Sequence, residues 1–183
     1  MRPIQTLFAV VATALIATAA IASTPIAVGA HIPAGFGGVD ATGKTRDFKS
    51  ISGKKGVVLI FFRSAAWCPY CQAQLKDIRA LPTELQKRGY TLAAISYDKV
   101  DTLATFTAKQ QINYTLLSDA GSKQIDAFGL RDPNYAKDSF AYGVPTATVL
   151  VIGKDGVVKQ KLSTTDYKIR PNNQAILAAV DAG

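Results

Sequence analysis

The sequence is poor in several chemically active residues. Its 183 residues hold two cysteines, one histidine, one tryptophan and one methionine. Two cysteines cannot staple a small disulfide-rich domain. The lone His31 gives a soft metal few ligands, so no metal and no cofactor is expected. Acids are also scarce, with 13 Asp and Glu against 21 Lys and Arg and a net charge of +8. The lysines are dispersed, from Lys44, Lys49, Lys54 and Lys55 to Lys123 and Lys137. No dense basic block with interleaved aromatics occurs, so nucleic acid is not an expected partner. A solvated basic surface is the plain reading, with at most a weak preference for acidic partners or anionic surfaces. The chain has no internal repeat, and apolar residues at 48% fit one globular domain with its own core.

One stretch is long and free of charge. Arg2 opens it, Ile4 to Ala20 is rich in Ala, Leu, Ile and Val, and Ala20-Ile21-Ala22 places small residues where a signal peptidase reads them. Residues 1–22 are therefore expected to be a signal peptide and 23–183 the working domain. The protein should be exported, either periplasmic or secreted. The membrane enters only if the signal stays uncleaved as an anchor. Cleavage removes Arg2 and no acid, taking the net charge from +8 to +7.

The mature chain begins with an approach segment rich in Gly, Pro and Ala, anchored by Phe36, Val39 and Phe48, with a turn over residues 40–44. Val57 to Phe62 is a continuous run of β-formers, as in a strand covered on both faces. Leu75, Ile78, Leu81 and Leu85 then recur at helical spacing, interrupted by Pro82 and ended by Gly89. A second buried strand spans Thr91–Tyr97, and Asp98 is placed to cap the next helix. A short strand (114–117), a short helix ending at Gly129, an aromatic-bearing loop (130–142) and a strand from Thr146 follow. A hairpin over 153–156, a partner strand, a loop over 166–173 and a closing helix complete the chain. This order predicts an α/β fold, a central mixed sheet with helices on both faces.

The two cysteines stand at Cys68 and Cys71, where the first strand gives way to a helix. A bridge across two residues closes a very small loop and adds little to the fold. It makes a compact reversible redox switch instead. The unpaired amides of a helix's first turn carry partial positive charge, which stabilises a thiolate at Cys68. Pro69 suits the first helical position, where no N–H is needed. Cys68 is expected to be the exposed nucleophile and Cys71 the resolving thiol one turn in, with Trp67 covering one side.

Trp67-Cys68-Pro69-Tyr70-Cys71 after an apolar strand resembles a thioredoxin-superfamily active site, with the Pro–Tyr pair typical of glutaredoxins. Gly143-Val144-Pro145-Thr146 before a strand resembles that family's cis-proline loop. The Gly-rich approach segment, the strand ending Ser96-Tyr97-Asp98, and Leu116-Leu117-Ser118-Asp119 before a helix ending Phe128-Gly129 resemble the redoxin, AhpC/TSA-like branch over about residues 29–180. The resemblance implies a thioredoxin-like fold with catalytic Cys68 and Cys71. Trp67, Pro69, Tyr70, Val144, Pro145 and Thr146 would contact substrate. Val144 would pair its backbone with a bound chain, and a cis Pro145 would pack against the disulfide. The alternative is an ordinary trans proline entering a strand.

Departures from the pattern keep the function open. Peroxiredoxins of this type carry proline seven residues before the reactive cysteine and Thr or Ser three before it; Phe61 and Ala65 stand here, with Ser64 one place off. Their later arginine is unmatched. Arg63 could supply charge but reads better as a solvated strand end. Phe62 replaces the buried acid of thioredoxins, so deprotonation of Cys71 must use water or another group, with Tyr70 and Asp98 as candidates. The main expectation is an exported thiol–disulfide oxidoreductase acting on protein thiols or disulfides or small thiols, fed by an electron-donating redox partner. The alternative is a peroxiredoxin-like thiol peroxidase acting on hydroperoxides, with Cys68 peroxidatic and Cys71 resolving. A copper-binding chaperone through both cysteines and His31 ranks below both.

Overall fold

The structure, a computed structural model, describes residues 24–183; the expected signal segment and its cleavage site lie outside them. Seven strands form one mixed sheet in the order β2-β1-β5-β4-β3-β6-β7. They are β1 (Gly37–Asp40), β2 (Thr45–Asp47), β3 (Gly56–Phe61), β4 (Tyr90–Ser96), β5 (Thr115–Ser118), β6 (Thr148–Gly153) and β7 (Val158–Ser163). β3 runs parallel to β4, and β4 to β5, through helical crossovers. β6 is antiparallel to β3 and pairs with β7 in a hairpin. No helix among the described residues is long and apolar enough to cross a membrane.

β3 reads as an unbroken apolar run because both of its faces are covered. Side chains alternate along a strand. Val58, Ile60 and Phe62 point into one core with α2 (Pro69–Asp77), α3 (Leu81–Lys87), α4 (Val100–Gln110) and α6 (Asn173–Ala182). Val57, Leu59 and Phe61 point into the other with α1 (Phe48–Ile51), α5 (Lys123–Ala127) and the approach-segment anchors Ile26 and Phe36. In register, Leu59 lies between Ala93 of β4 and Leu150 of β6, at the centre of the sheet.

Pro82 acts as expected. Its ring would clash with the carbonyl four residues back in a continuous helix. The chain tightens into a 3₁₀ turn over Ile78–Ala80, and α3 restarts with Pro82 in its first turn. Gly89, at φ 82°, takes the left-handed conformation that ends α3.

Two expectations are corrected. Lys99, not Asp98, is the N-cap of α4, and no side chain caps it. β6 starts at Thr148 rather than Thr146, because the preceding residues pair elsewhere. The Thr146 amide donates to the Leu130 carbonyl at 2.7 Å, and Pro145 forms an isolated antiparallel bridge with Arg131.

Candidate active site

β3 delivers the chain to the carboxyl end of the central strands, and a turn over residues 62–67 hands it to α2. That turn is held from below by Asp98. Its carboxylate accepts hydrogen bonds from the Ser64 hydroxyl (2.7 Å), the Ala65 amide (2.7 Å) and the Ser96 hydroxyl (2.9 Å). Asp98 is thus a brace rather than a helix cap. Burial pushes its pKa up, while the bonds from Ala65, Ser64 and Ser96 oppose the rise. Ser64 is spent in the same turn, its oxygen also accepting from the Ala66 amide at 2.9 Å. Gln72 reaches back from α2 and donates to the carbonyls of Ala65 (2.8 Å) and Ala66 (3.1 Å).

Cys68 is the N-cap of α2, with Pro69 directly after it in the first turn. Its sulfur accepts from the Cys71 amide at 3.2 Å. Cys68 and Cys71 are joined in a disulfide with their Cα atoms 5.2 Å apart. The sequence places the nucleophile in the open; here Cys68 is 1% exposed and Cys71 is fully buried. Aromatic side chains from two loops gather round the motif. Trp67 meets Phe140 edge-on, with ring centres 5.2 Å apart, and donates from its indole nitrogen to Tyr97 at 2.9 Å. Tyr70 meets Tyr167 edge-on at 5.9 Å. Phe140, Tyr70 and Tyr167 are themselves exposed, so they form a rim.

Arg63 is not a solvated strand end. It is 3% exposed, and its guanidinium lies over the rings of Tyr167 (4.1 Å), Tyr135 (4.9 Å) and Trp67 (5.3 Å). It also donates to the Tyr135 hydroxyl. Cation–π contact offsets part of the cost of burying the charge. The residue that sequence reasoning missed is Arg170, in the loop between β7 and α6. Its Nη2 lies 3.4 Å from the Cys71 sulfur. Nothing local in the sequence marks it, since 99 positions separate the pair.

The proline loop departs from expectation. No cis peptide bond occurs among the described residues, so Val144–Pro145 is trans. The reason is the pairing of the loop with residues 130–132. The Val144 amide donates to Ala141 (3.1 Å), and its carbonyl accepts from the Asp132 amide (2.9 Å). With Val144 buried and both backbone groups spent, it presents no free edge to a bound chain. Pro145 is buried in its bridge to Arg131, and Thr146 is tied to Leu130. His31, exposed in the approach segment, pairs by backbone with Val157. No group of three or more His, Cys, Asp or Glu is placed to hold a metal among the described residues.

A mixed sheet flanked by helices, with a Cys–x–x–Cys disulfide at the start of a helix, defines a thioredoxin-like redox domain of the redoxin branch. The chain belongs to the AhpC/TSA family, whose profile matches residues 28–161, and is an oxidoreductase of that group. A peroxiredoxin named bcp from Haemophilus influenzae is 30% identical over 153 residues, covering 84% of this chain and 95% of that protein. Peroxiredoxin Bcp of Escherichia coli is 33% identical over 91 residues, half of this chain and 57% of its own length. Among solved structures, the peroxidoxin BcpB of Mycobacterium tuberculosis superposes with a TM-score of 0.70 at 26% identity, covering 85% of this chain and 96% of that one.

Proposed function

We propose that this protein is a thiol peroxidase in which Cys68 reduces hydroperoxides and Cys71 resolves the product. The Cys68 thiolate attacks the terminal peroxide oxygen. The O–O bond breaks, Cys68 becomes a sulfenic acid, and the leaving oxygen takes a proton to depart as water or an alcohol. Cys71 then attacks the Cys68 sulfur, forming the disulfide and releasing the oxygen as water. Two electrons from an external thiol partner return both cysteines to the reduced state.

The observation that carries this reading is the closed Val144 edge. Its backbone N–H and C=O are both bonded within the protein. A protein substrate docking there as an added strand must first break those bonds, whereas a small hydroperoxide needs no such edge. Kinship with peroxiredoxins supports the same choice.

Thiol–disulfide exchange with small thiols or protein partners is the second reading. It is favoured by the cysteine pair one helical turn apart and by Phe61 and Ala65 at the positions where peroxiredoxins carry Pro and Thr or Ser. Hydroperoxide consumption with dithiothreitol as reductant, run beside insulin disulfide reduction, separates the two. The peroxidase reading requires fast peroxide loss and slow insulin reduction; the reverse result selects the second.

We further propose that the protein is exported to the periplasm or secreted, on the strength of the Ile4–Ala20 stretch and the Ala22 site. Amino-terminal sequencing of the mature protein should begin at Ser23; an intact Met1 terminus in a cytoplasmic fraction would refute export.

A further inference from the structure

Arg63 is buried beside Trp67, Arg170 is half-buried against the disulfide, and neither has an anion bonded to it. Among the described residues, Nε and Nη1 of each are buried with no hydrogen-bond partner. The one bond of the Arg63 guanidinium goes to Tyr135, and that of Arg170 goes to the Cys71 sulfur. Burying an uncompensated cation is costly. The one group hydrogen-bonded to Arg170 is the Cys71 sulfur, which can become an anion when the disulfide is reduced. The geometry points to Arg170 as a catalytic residue that holds Cys71 as a thiolate, so that the resolving cysteine acts without a general base.

Phe62 occupies the place of a buried proton acceptor and is itself fully buried. Asp98 cannot serve without releasing its bonds to Ser64, Ala65 and Ser96. A fixed cation removes the need for either, because it favours the charged form of the thiol directly. Burial pulls the pKa of Arg170 down to about 10, and repulsion from Arg63 adds to the fall. The guanidinium therefore stays charged at neutral pH. Two cations, Arg170 from the β7–α6 loop and Arg63 from the end of β3, belong to the cluster around the sulfurs. Asp166 and Tyr167 act on Arg170 from its own loop, and Asp98 lies beneath the turn over residues 62–67.

The two sulfurs are thus served separately. Cys68 has the helix amide of Cys71; Cys71 has Arg170. In the resolving step the Cys71 thiolate displaces the sulfenic oxygen of Cys68. An S–S bond forms, the S–O bond breaks, and the departing hydroxide takes a proton from solvent to become water. This chemistry rests on the peroxidase reading, but the thiolate itself does not.

The test uses full-length protein with Cys68→Ser, leaving Cys71 as the sole thiol, alkylated by iodoacetamide across a range of pH and followed by mass. Arg170→Gln should raise the midpoint of alkylation by about one pH unit, a tenfold loss of thiolate below it. Arg170→Lys should restore most of that loss, since it keeps the charge. In the matched Cys71→Ser background, the Cys68 midpoint should move less. A Cys71 midpoint unmoved by Arg170→Gln, or a Cys68 midpoint that moves as far, overturns the assignment. Should the wild type consume no peroxide while the Cys71 midpoint still shifts, the peroxidase reading fails and Arg170 keeps its role.

Discussion

The Cys68 side of the disulfide and the Cys71 side are supported by different parts of the chain. The turn before Cys68 is bolted to the sheet: Ser64, Ala65 and Ser96 all bond Asp98, and Gln72 closes the turn from above. Those residues sit on β3, β4 and α2, or next to them. Cys71 is met instead by Arg170, from a loop without strand or helix between β7 and α6. One side inherits the rigidity of the sheet, and the other depends on a segment that has to be carried into place. A site built this way can keep its nucleophile fixed while the environment of its second cysteine changes.

Substitutions on the two sides should separate these roles. The largest effect is expected at the sulfurs. Cys68→Ser should reduce hydroperoxide consumption to the uncatalysed background, while Cys71→Ser should stop after one turnover with a sulfenic acid at Cys68 that dimedone captures. Next comes the brace. Asp98→Ala leaves two hydroxyls and an amide unpaired in the interior, and should cost about 3 kcal/mol of stability in urea unfolding. Its pH behaviour has a definite sign. The folded-state pKa of Asp98 is raised, so the folded protein binds this proton more tightly than the unfolded chain. The Asp98 contribution is therefore greatest below the ordinary carboxylate value and declines as pH rises through the folded pKa. Asp98→Asn should flatten that decline.

Away from the site, Asp40 behaves in the opposite way. Burial raises its pKa, but bonds from Thr42, Arg46 and Lys44 outweigh that and hold it at about 2. Its contribution, about 1–2 kcal/mol, is present above the ordinary value of 3.8 and lost as pH falls through about 2. Asp40→Asn should lower stability at neutral pH and leave it unchanged in strong acid. The smallest effect is expected for Gln72→Ala, about 1 kcal/mol, read in the same unfolding experiment. If Gln72→Ala proved costlier than Asp98→Ala, the turn would be held from the helix rather than from the sheet.

The same contrast explains what the sequence could show. The elements of the Cys68 side were legible because local patterns encode them: the apolar run of β3, the Cys-Pro pair opening α2, and the break at Pro82. At Asp98 the local pattern points to the wrong task, since an acid before a helix satisfies the capping pattern whether or not its carboxylate turns the other way. The burial of Arg63 carries no local signal, because it depends on Tyr135 and Tyr167, which reach it only in the folded chain. Arg170 had no signal at all. Pro145 followed a resemblance in its neighbours, but pairing of residues 144–146 with 130–132 settles it as trans.

The most direct measurement treats fully reduced protein with one equivalent of hydrogen peroxide, quenches with an alkylating agent, and weighs the intact chain. A Cys68–Cys71 thiol peroxidase loses both thiols together as one disulfide within the mixing time, and its Cys68→Ser variant stays reduced. Survival of both thiols through the peroxide pulse, in protein that still exchanges readily with a small disulfide, would contradict it.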